Sequence, residues 1–260
     1  MPELPEIESL RREQAEHALN RRIAGVDLRD PERLRGARPD DLTAALSGFH
    51  FDSVTRHGKI LFLGVSSGWK LAIHFGMNGH IALYGEGGAE PEHTRLVLDF
   101  ADGGRWAFAD MRRLGWVELT DDIAAYLRSQ EVGPDALTLD AGSFAKRVGG
   151  KRGAIKSALM DQATIAGIGN VYADEILFHA GIIPDRPAHD LDDPALNRLH
   201  GEMQAILREA ADRGGFHGEL PACWLYHRRG DTGHCPVCGH TLNTRQVGGR
   251  TSYLCPACQT

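Results

Sequence analysis

Four cysteines near the end of the chain constrain it most. Cys235-Pro-Val-Cys238 and Cys255-Pro-Ala-Cys258 are two C-x-x-C knuckles with sixteen residues between them. Each knuckle can clamp one edge of a metal ion, and four thiolates complete the tetrahedral shell of zinc. Gly239, directly after the first knuckle, allows a tight turn. The segment 240–254, with a turn at Gly248-Gly249, fits a hairpin joining the two pairs. A four-cysteine shell has no open position. One structural zinc is therefore expected, held by Cys235, Cys238, Cys255 and Cys258. Two redox pairs are the competing reading, but the thioredoxin-like context is missing. His234 is a spare ligand that four cysteines do not need. The fifth cysteine, Cys223, is expected to be a buried small hydrophobe.

The rest of the chain must fold on its own apolar content. The 260 residues are 42% hydrophobic and 25% charged, an ordinary globular composition with room for two domains. Five cysteines are an odd number and too few for a disulfide scaffold. No apolar run reaches the ~20 residues needed to cross a bilayer. The first residues lack the basic and apolar regions of a signal peptide. A soluble protein of a reducing compartment, the cytoplasm, is expected, with no membrane partner.

A net charge of -6 and a pI near 6.1 give no global sign of a polyanion partner. The charge is nevertheless segregated. Glu3, Glu6 and Glu8 crowd the first ten residues, with no base among them. Lys146, Arg147, Lys151, Arg152 and Lys156 place five positive charges in eleven residues without an acid. The last forty residues carry Arg228, Arg229, Arg245 and Arg250 against Asp231 alone. Such runs are ordinarily solvated faces and become nucleic-acid surfaces only with independent support.

Residues 3–20 read as a helix, with Pro5 in the first turn and acids where the helix dipole favours them. Between about 23 and 119 the pattern changes to short strand-like runs broken by glycine turns. Examples are 49–54, 60–65, 71–75, 96–100, 106–109 and 116–119, the pattern of a β-sandwich or barrel. A charged stretch, 121–140, contains Gly133-Pro134 and reads as a linker. Helices are predicted at 143–148, with Ser143 as N-cap, and at 154–161, 171–180 and 193–212. The expected organisation is α+β in two domains. Residues 1–120 form a catalytic helix plus sheets, 141–222 a helical domain, and 223–260 the zinc unit. Gly167-Ile168-Gly169-Asn170 offers backbone N–H groups at a helix N-terminus, an anion site suited to phosphate or an ordinary interhelical turn. Residues 150–157 lack the glycine spacing of a P-loop, which excludes nucleotide hydrolysis.

Six blocks in order along the whole chain resemble the formamidopyrimidine-DNA glycosylase / endonuclease VIII family. They are residues 1–8 (Met-Pro-Glu-Leu-Pro-Glu-Ile-Glu), Arg56-His57-Gly58-Lys59 and His74-Phe75-Gly76-Met77-Asn78-Gly79. Asp110-Met111-Arg112-Arg113-Leu114-Gly115, the segment from Asp161-Gln162 to Asp174-Glu175, and the four-cysteine unit with Gly249-Arg250 complete the series. The resemblance is nearest to the formamidopyrimidine branch, on Leu4 and Met77-Asn78-Gly79. It implies a β-sandwich, a helix–two-turn–helix element and a zinc finger, with damaged duplex DNA in a basic cleft between the domains. It also implies a monomeric bacterial enzyme of the nucleoid, a DNA glycosylase with abasic-site lyase activity on bases such as 8-oxoguanine and formamidopyrimidines.

Residue chemistry supports the resemblance. Removal of Met1 exposes the secondary amine of Pro2. An α-amino group has a reference pKa of ~8, far below lysine, so more of it is neutral and nucleophilic. Attack at C1′ gives an iminium ion that draws electrons for β- and then δ-elimination. Glu3 suits acid/base duty at the sugar, and Glu6, about one turn further on, is expected to assist. By resemblance, Lys59 and Arg250 assist catalysis, and His74, His93, Lys156, Asn170 and Arg250 contact DNA. Met77, Arg112 and Leu114 would fill the void left by an extruded nucleotide. The family normally has Phe where this chain has Leu114. Residues 214–219, where a lesion-capping loop would lie, are short. An endonuclease VIII-like enzyme for oxidised pyrimidines or abasic sites, and a non-enzymatic DNA-binding zinc-ribbon protein, are the alternatives.

Overall fold

The computed structural model describes residues 1–85, 87–230 and 233–260; Asp231, the one acid of the last forty residues, lies outside them. The described residues divide into two units. One contains Met1–Pro2 and Ile7–Gln130, the other Glu3–Glu6 and Glu131–Thr260.

Helix α1 (Leu4–His17), whose residues from Ile7 onward lie in the first unit, ends before the predicted limit at 20. Asn20 takes a left-handed φ of 60°, which no helix tolerates as a continuation, and Leu19 bridges to Phe51. A polar residue lies on the buried face of α1. Gln14 is fully buried, and its Oε1 accepts a hydrogen bond from Trp106 Nε1 at 2.8 Å. This bond ties the helix to the sheet through the amide oxygen, while the buried Gln14 Nε2 has no hydrogen-bond partner.

Strands β1 (Ile23–Leu28), β2 (Leu34–Arg35), β3 (Phe51–His57), β4 (Ile60–Val65), β5 (Lys70–His74), β6 (His80–Tyr84), β7 (Thr94–Phe100), β8 (Arg105–Ala109) and β9 (Trp116–Thr120) form two sheets. Their orders are β1-β7-β8-β6 and β2-β9-β5-β4-β3. Ile23, Leu98 and Phe108 from one sheet share a core with Leu61, Ile73 and Val117 from the other. This is the expected sandwich. Every residue of β4 is buried. On its outer face the Tyr126 ring of helix α3 (Ile123–Ser129) stands edge-on to Phe62 at 5.5 Å. The stretch 121–140 therefore carries a helix, capped by Asp122. Helix α2 (Pro39–Leu46) was not predicted, and strands β1, β2 and β6 were not among the runs singled out.

Register decides which loops meet. His74 at the end of β5 pairs with Trp116 at the start of β9, and Ala109 at the end of β8 pairs with His80 at the start of β6. The loops 75–79 and 110–115 consequently leave the same end of the sandwich. A Cβ on Gly76 would stand 2.5 Å from Gly115 N, so only glycine lets the two backbones approach this closely.

The second unit contains α4 (Ala141–Gly149), α5 (Ile155–Met160), α6 (Asn170–His179), α7 (Asp193–Asp212) and the hairpin β10 (Asn243–Val247) with β11 (Arg250–Leu254). Phe144, Leu159, Ile176, Leu199 and Leu207 belong to its core. The N-cap of α4 is Asp140, not Ser143. The Asp140 carboxylate accepts from Ser143 N at 2.9 Å, and its charge suits the helix N-terminus better than a hydroxyl does. A smaller core of Phe178, Leu225, Cys235, Leu242 and Cys255 seats the cysteine unit on α6. Cys223 is exposed in a turn, contrary to expectation; the neighbouring Trp224 takes the buried position instead. Among the described residues, no helix is long and apolar enough to cross a membrane.

Candidate active site and metal centre

The glycine turn before α6 holds an anion, and that anion is Glu3. The Glu3 carboxylate accepts from Gly169 N at 2.6 Å, Val171 N at 2.9 Å and Tyr172 N at 3.3 Å. Three otherwise orphaned donors of the helix N-terminus are thereby satisfied by a side chain from the start of the chain. Gly169, the N-cap, has no side chain to do this itself. The reading of this turn as a phosphate cradle is thus corrected for these three donors. Leu4 N donates to Gly167 O at 3.0 Å and completes the seat. Pro2, half-buried, immediately precedes it.

Glu6 lies one turn on. Its carboxylate accepts from Glu3 N at 2.8 Å, from Tyr172 OH at 2.8 Å and from Phe216 N at 2.9 Å. Burial pushes its pKa up and these donors pull it down, while the charge of Glu3 adds to the rise; the balance is a value of about 7. The Phe216 ring is sandwiched between Tyr172 (centroids 4.9 Å apart, 8° from parallel) and Tyr226 (5.3 Å, 7°). The segment 214–219 is a short turn tied to Glu6; the side chain of His217 lies outside the described residues.

Asn170 opens α6, half-buried, and its Oδ1 has no hydrogen-bond partner. Arg250 is exposed after the Gly248-Gly249 turn, where both glycines have left-handed φ (56° and 72°). Such a two-residue turn matches the twist of the hairpin. Lys156 contradicts its expected role. Its side chain is fully buried, 2.7 Å from Asp174 Oδ1, and donates to Ser252 Oγ at 2.7 Å. It ties α5 to α6 and β11 and cannot present its ammonium to DNA from this position. Asp174 also pairs with Arg229 and accepts from Tyr253 N at 3.2 Å. Glu175 accepts from Leu225 N and Tyr226 N, both at 2.9 Å. Neither acid was assigned a role from sequence; the backbone N–H groups and the arginine that they hold lie fifty or more residues away.

In the first unit, Gly58 (φ 57°) and Lys59 form the two-residue turn between β3 and β4. His74, opposite Ile60 in the ladder, stacks on Trp116 at 5.4 Å and 11°. Burial and then the charges of Lys59 and Arg35 lower its pKa to about 4. The ring is neutral at physiological pH. Its Nδ1 lies 3.2 Å from Gly76 N as acceptor, which leaves the proton on Nε2. Met77 is half-buried in the next loop. Across the glycine contact stand Arg112, exposed, and Leu114, 48% exposed. His93, exposed with φ 61°, accepts from Asp110 N at 3.1 Å and so adjoins the same loop. Lys59, His74, Met77, His93, Arg112 and Leu114 thus come from loops and a strand end of one unit, and Glu3, Glu6, Asn170 and Arg250 from the other.

The four cysteine sulfurs lie within 4.8 Å of one another. Sγ–Sγ distances are 3.8 Å for Cys235–Cys258 and 3.5 Å for Cys238–Cys255. Zinc–sulfur bonds of ~2.3 Å imply tetrahedral edges of ~3.8 Å, so the donor set fits one zinc ion. Gly239 turns with φ 74° after the first knuckle, and His234 Nδ1 lies 3.1 Å from Gly239 O, outside the cluster. With four sulfurs in the shell, the role of the metal is to hold the hairpin that carries Arg250.

Comparison with known proteins accords with this geometry. Residues 1–117 match the formamidopyrimidine-DNA glycosylase N-terminal domain and 132–219 its H2TH domain. Residues 234–260 match the zinc finger found in FPG and IleRS. The chain is 34% identical over 278 residues to a formamidopyrimidine-DNA glycosylase of Desulfitobacterium hafniense, with both chains covered in full. It is 37% identical over 270 residues to that of Geobacter metallireducens, again in full. Among solved structures, a complex of Lactococcus lactis FPG (MutM) with FAPY-dG containing DNA superposes with a TM-score of 0.90. It shares 27% identity and covers 99% of this chain and 100% of that one. The same protein with abasic-site DNA superposes equally well, at 0.90 and 27%, covering 99% of each chain.

Proposed function

The chain belongs to the formamidopyrimidine-DNA glycosylase family, DNA glycosylases of base-excision repair, and on that premise we propose that it removes oxidised bases through a Schiff base on Pro2. Once Met1 is removed, the neutral Pro2 nitrogen attacks C1′ of the damaged nucleotide. The C1′–base bond breaks, its electron pair leaves with the base, and a proton is supplied to the base. The nitrogen loses its proton, the C1′–O4′ bond then opens as Glu3 passes a proton to O4′, and because the nitrogen is secondary the resulting iminium is cationic. It accepts electrons as a C2′ proton leaves and the 3′-phosphate departs, and a second elimination releases the 5′-phosphate. The products are a one-nucleotide gap with phosphate on both ends. Water then hydrolyses the iminium and frees Pro2.

The observation that supports this reading is the seat of Glu3. Its carboxylate is immobilised by three backbone N–H groups in the residue that follows the nucleophile. A fixed carboxylate beside a free amine suits proton transfer at the sugar. Lys59 and Arg250 are proposed to serve the elimination steps. His74, His93, Asn170 and Arg250 contact the phosphate backbone, and Met77, Arg112 and Leu114 occupy the vacated stack. The partner is damaged duplex DNA. The protein works as a monomer in the cytoplasm, with units 1–120, 141–222 and 223–260 and a connecting 121–140.

A second reading within the family has one observation in its favour. Phe216 is locked between Tyr172 and Tyr226, and its N–H is held by Glu6. A short, tied segment suits a pocket for oxidised pyrimidines or a bare abasic site. A panel of duplexes decides between them. Excision of 8-oxoguanine and formamidopyrimidine with gaps bearing two terminal phosphates supports the first reading. Activity confined to oxidised pyrimidines or abasic sites supports the second. Binding without strand cleavage would contradict both.

A further inference from the structure

The loop 110–115 has an anchored backbone, while Met111, Arg112 and Leu114 are exposed. Asp110 is buried, and its carboxylate accepts from Arg112 N at 3.1 Å and Gly115 N at 2.6 Å. Arg95 Nε donates to Asp110 O at 3.0 Å, and Arg33 donates to Arg113 O at 2.8 Å. Arg113 has a left-handed φ of 53°, a conformation that side chains other than glycine rarely adopt. Its guanidinium forms a two-pronged pair with Asp30, at 2.8 and 2.9 Å, and reaches Glu32 at 2.7 Å. The Asp30 side chain is 6% exposed, while that of Arg113 is 47% exposed. Met111 and Leu114, by contrast, are 57% and 48% exposed.

We propose that Asp30 is a positioning residue that holds the 110–115 loop, through Arg113, in the shape from which Arg112 and Leu114 enter a base stack. The inference rests on the reading of those two side chains as void fillers. A loop that must order itself during insertion loses conformational entropy at that moment. The fork from a buried carboxylate makes that ordering a property of the free protein. It also offsets the unfavourable φ of Arg113. Leucine lacks the aromatic face that a wedge phenylalanine would lay on a base, so this chain depends more on where the wedge is held than on how well it stacks.

The test compares two reactions of the same protein preparations. One is excision from a lesion-containing duplex opposite each of the four bases. The other is cleavage of a single-stranded abasic oligonucleotide, which has no stack to enter. Asp30→Ala and Arg113→Gly are the variants; glycine suits the φ at 113 and removes only the guanidinium. Each is expected to lower kcat/KM on duplex at least about tenfold and to flatten the opposite-base preference. Single-strand cleavage is expected to stay within about twofold, and the double variant to be no worse than either single one. Asp30→Glu, which keeps the charge, should recover part of the loss. Equal losses on both substrates, or none on duplex, would overturn the proposal. Arg112→Ala and Leu114→Ala separate the two levels. If they impair duplex excision while the Asp30 and Arg113 variants do not, only the positioning role falls. If they too leave duplex excision intact, the void-filling reading falls with it.

Discussion

Glu3 and Gly169 meet through a 2.6 Å hydrogen bond, and a Cβ at position 169 would stand 2.4 Å from Glu3 Cδ. Gly169→Ala is therefore expected to push the carboxylate from its seat. A displacement on the order of 1 Å at a reacting group costs roughly a hundredfold in rate. Base-release kinetics should show a loss of that size with DNA affinity changed little. Gly201→Ala is the control. It lies exposed in α7 with nothing within 4 Å of the added carbon, and it should raise stability by roughly 0.5–1 kcal/mol without altering the rate.

Glu6 makes stability depend on pH. Its folded pKa, about 7, is above the ordinary 4.5, so folding favours the protonated form. That contribution is complete below about 4.5 and is lost as pH rises through about 7. Glu6→Gln removes the titration. Its denaturant stability relative to the native protein should improve between pH 5 and pH 8 by an amount on the order of 2 kcal/mol. Parallel pH profiles would contradict the assignment.

His74 is expected to behave as a neutral donor. With its pKa lowered to about 4, its ring resonances should not titrate between pH 5 and 8, and the proton should reside on Nε2. Folding favours the neutral ring, so its contribution is present above the ordinary 6.5 and is lost as pH falls through about 4. Two-dimensional NMR of the imidazole reads both properties. A transition near 6.5 would show the ring to be open to solvent.

Zinc should bind one per chain, and its removal should act locally. Without the metal, the hairpin that carries Arg250 loses its clamp, and the small core of Phe178, Leu225 and Leu242 loses its two buried cysteines as neighbours. Cys258→Ser is expected to weaken duplex binding at least about tenfold while the signal from the sandwich is retained. Unchanged binding by protein shown to be metal-free would contradict a structural role for the finger.

Much of this was legible in the sequence where the signal is local. The cysteine knuckles, β4, α7 and the Gly248-Gly249 turn follow from spacing and turn chemistry, and the structure has them at or near the expected residues. Long-range pairing was not legible. A lysine in a basic run reads as a solvated charge, yet Lys156 is buried because Asp174, eighteen residues on, meets it from the next helix. The glycine turn at 167–169 announces an anion, but the anion comes from position 3 and not from a ligand. Gln14 spoils the apolar face of α1 because its partner, Trp106, is ninety-two residues away. Asp30 carries no motif at all; it becomes visible only through the fork it offers Arg113.

The Pro2 nitrogen is expected to be the nucleophile. Borohydride reduction during reaction with abasic duplex DNA traps an iminium as a stable amine, and peptide mass mapping then locates it. The expected result is a single adduct on the N-terminal peptide, with the added mass on Pro2 and no adduct in protein that retains Met1. An adduct on a lysine side chain, or strand cleavage with no trapped species in correctly processed protein, would contradict the account.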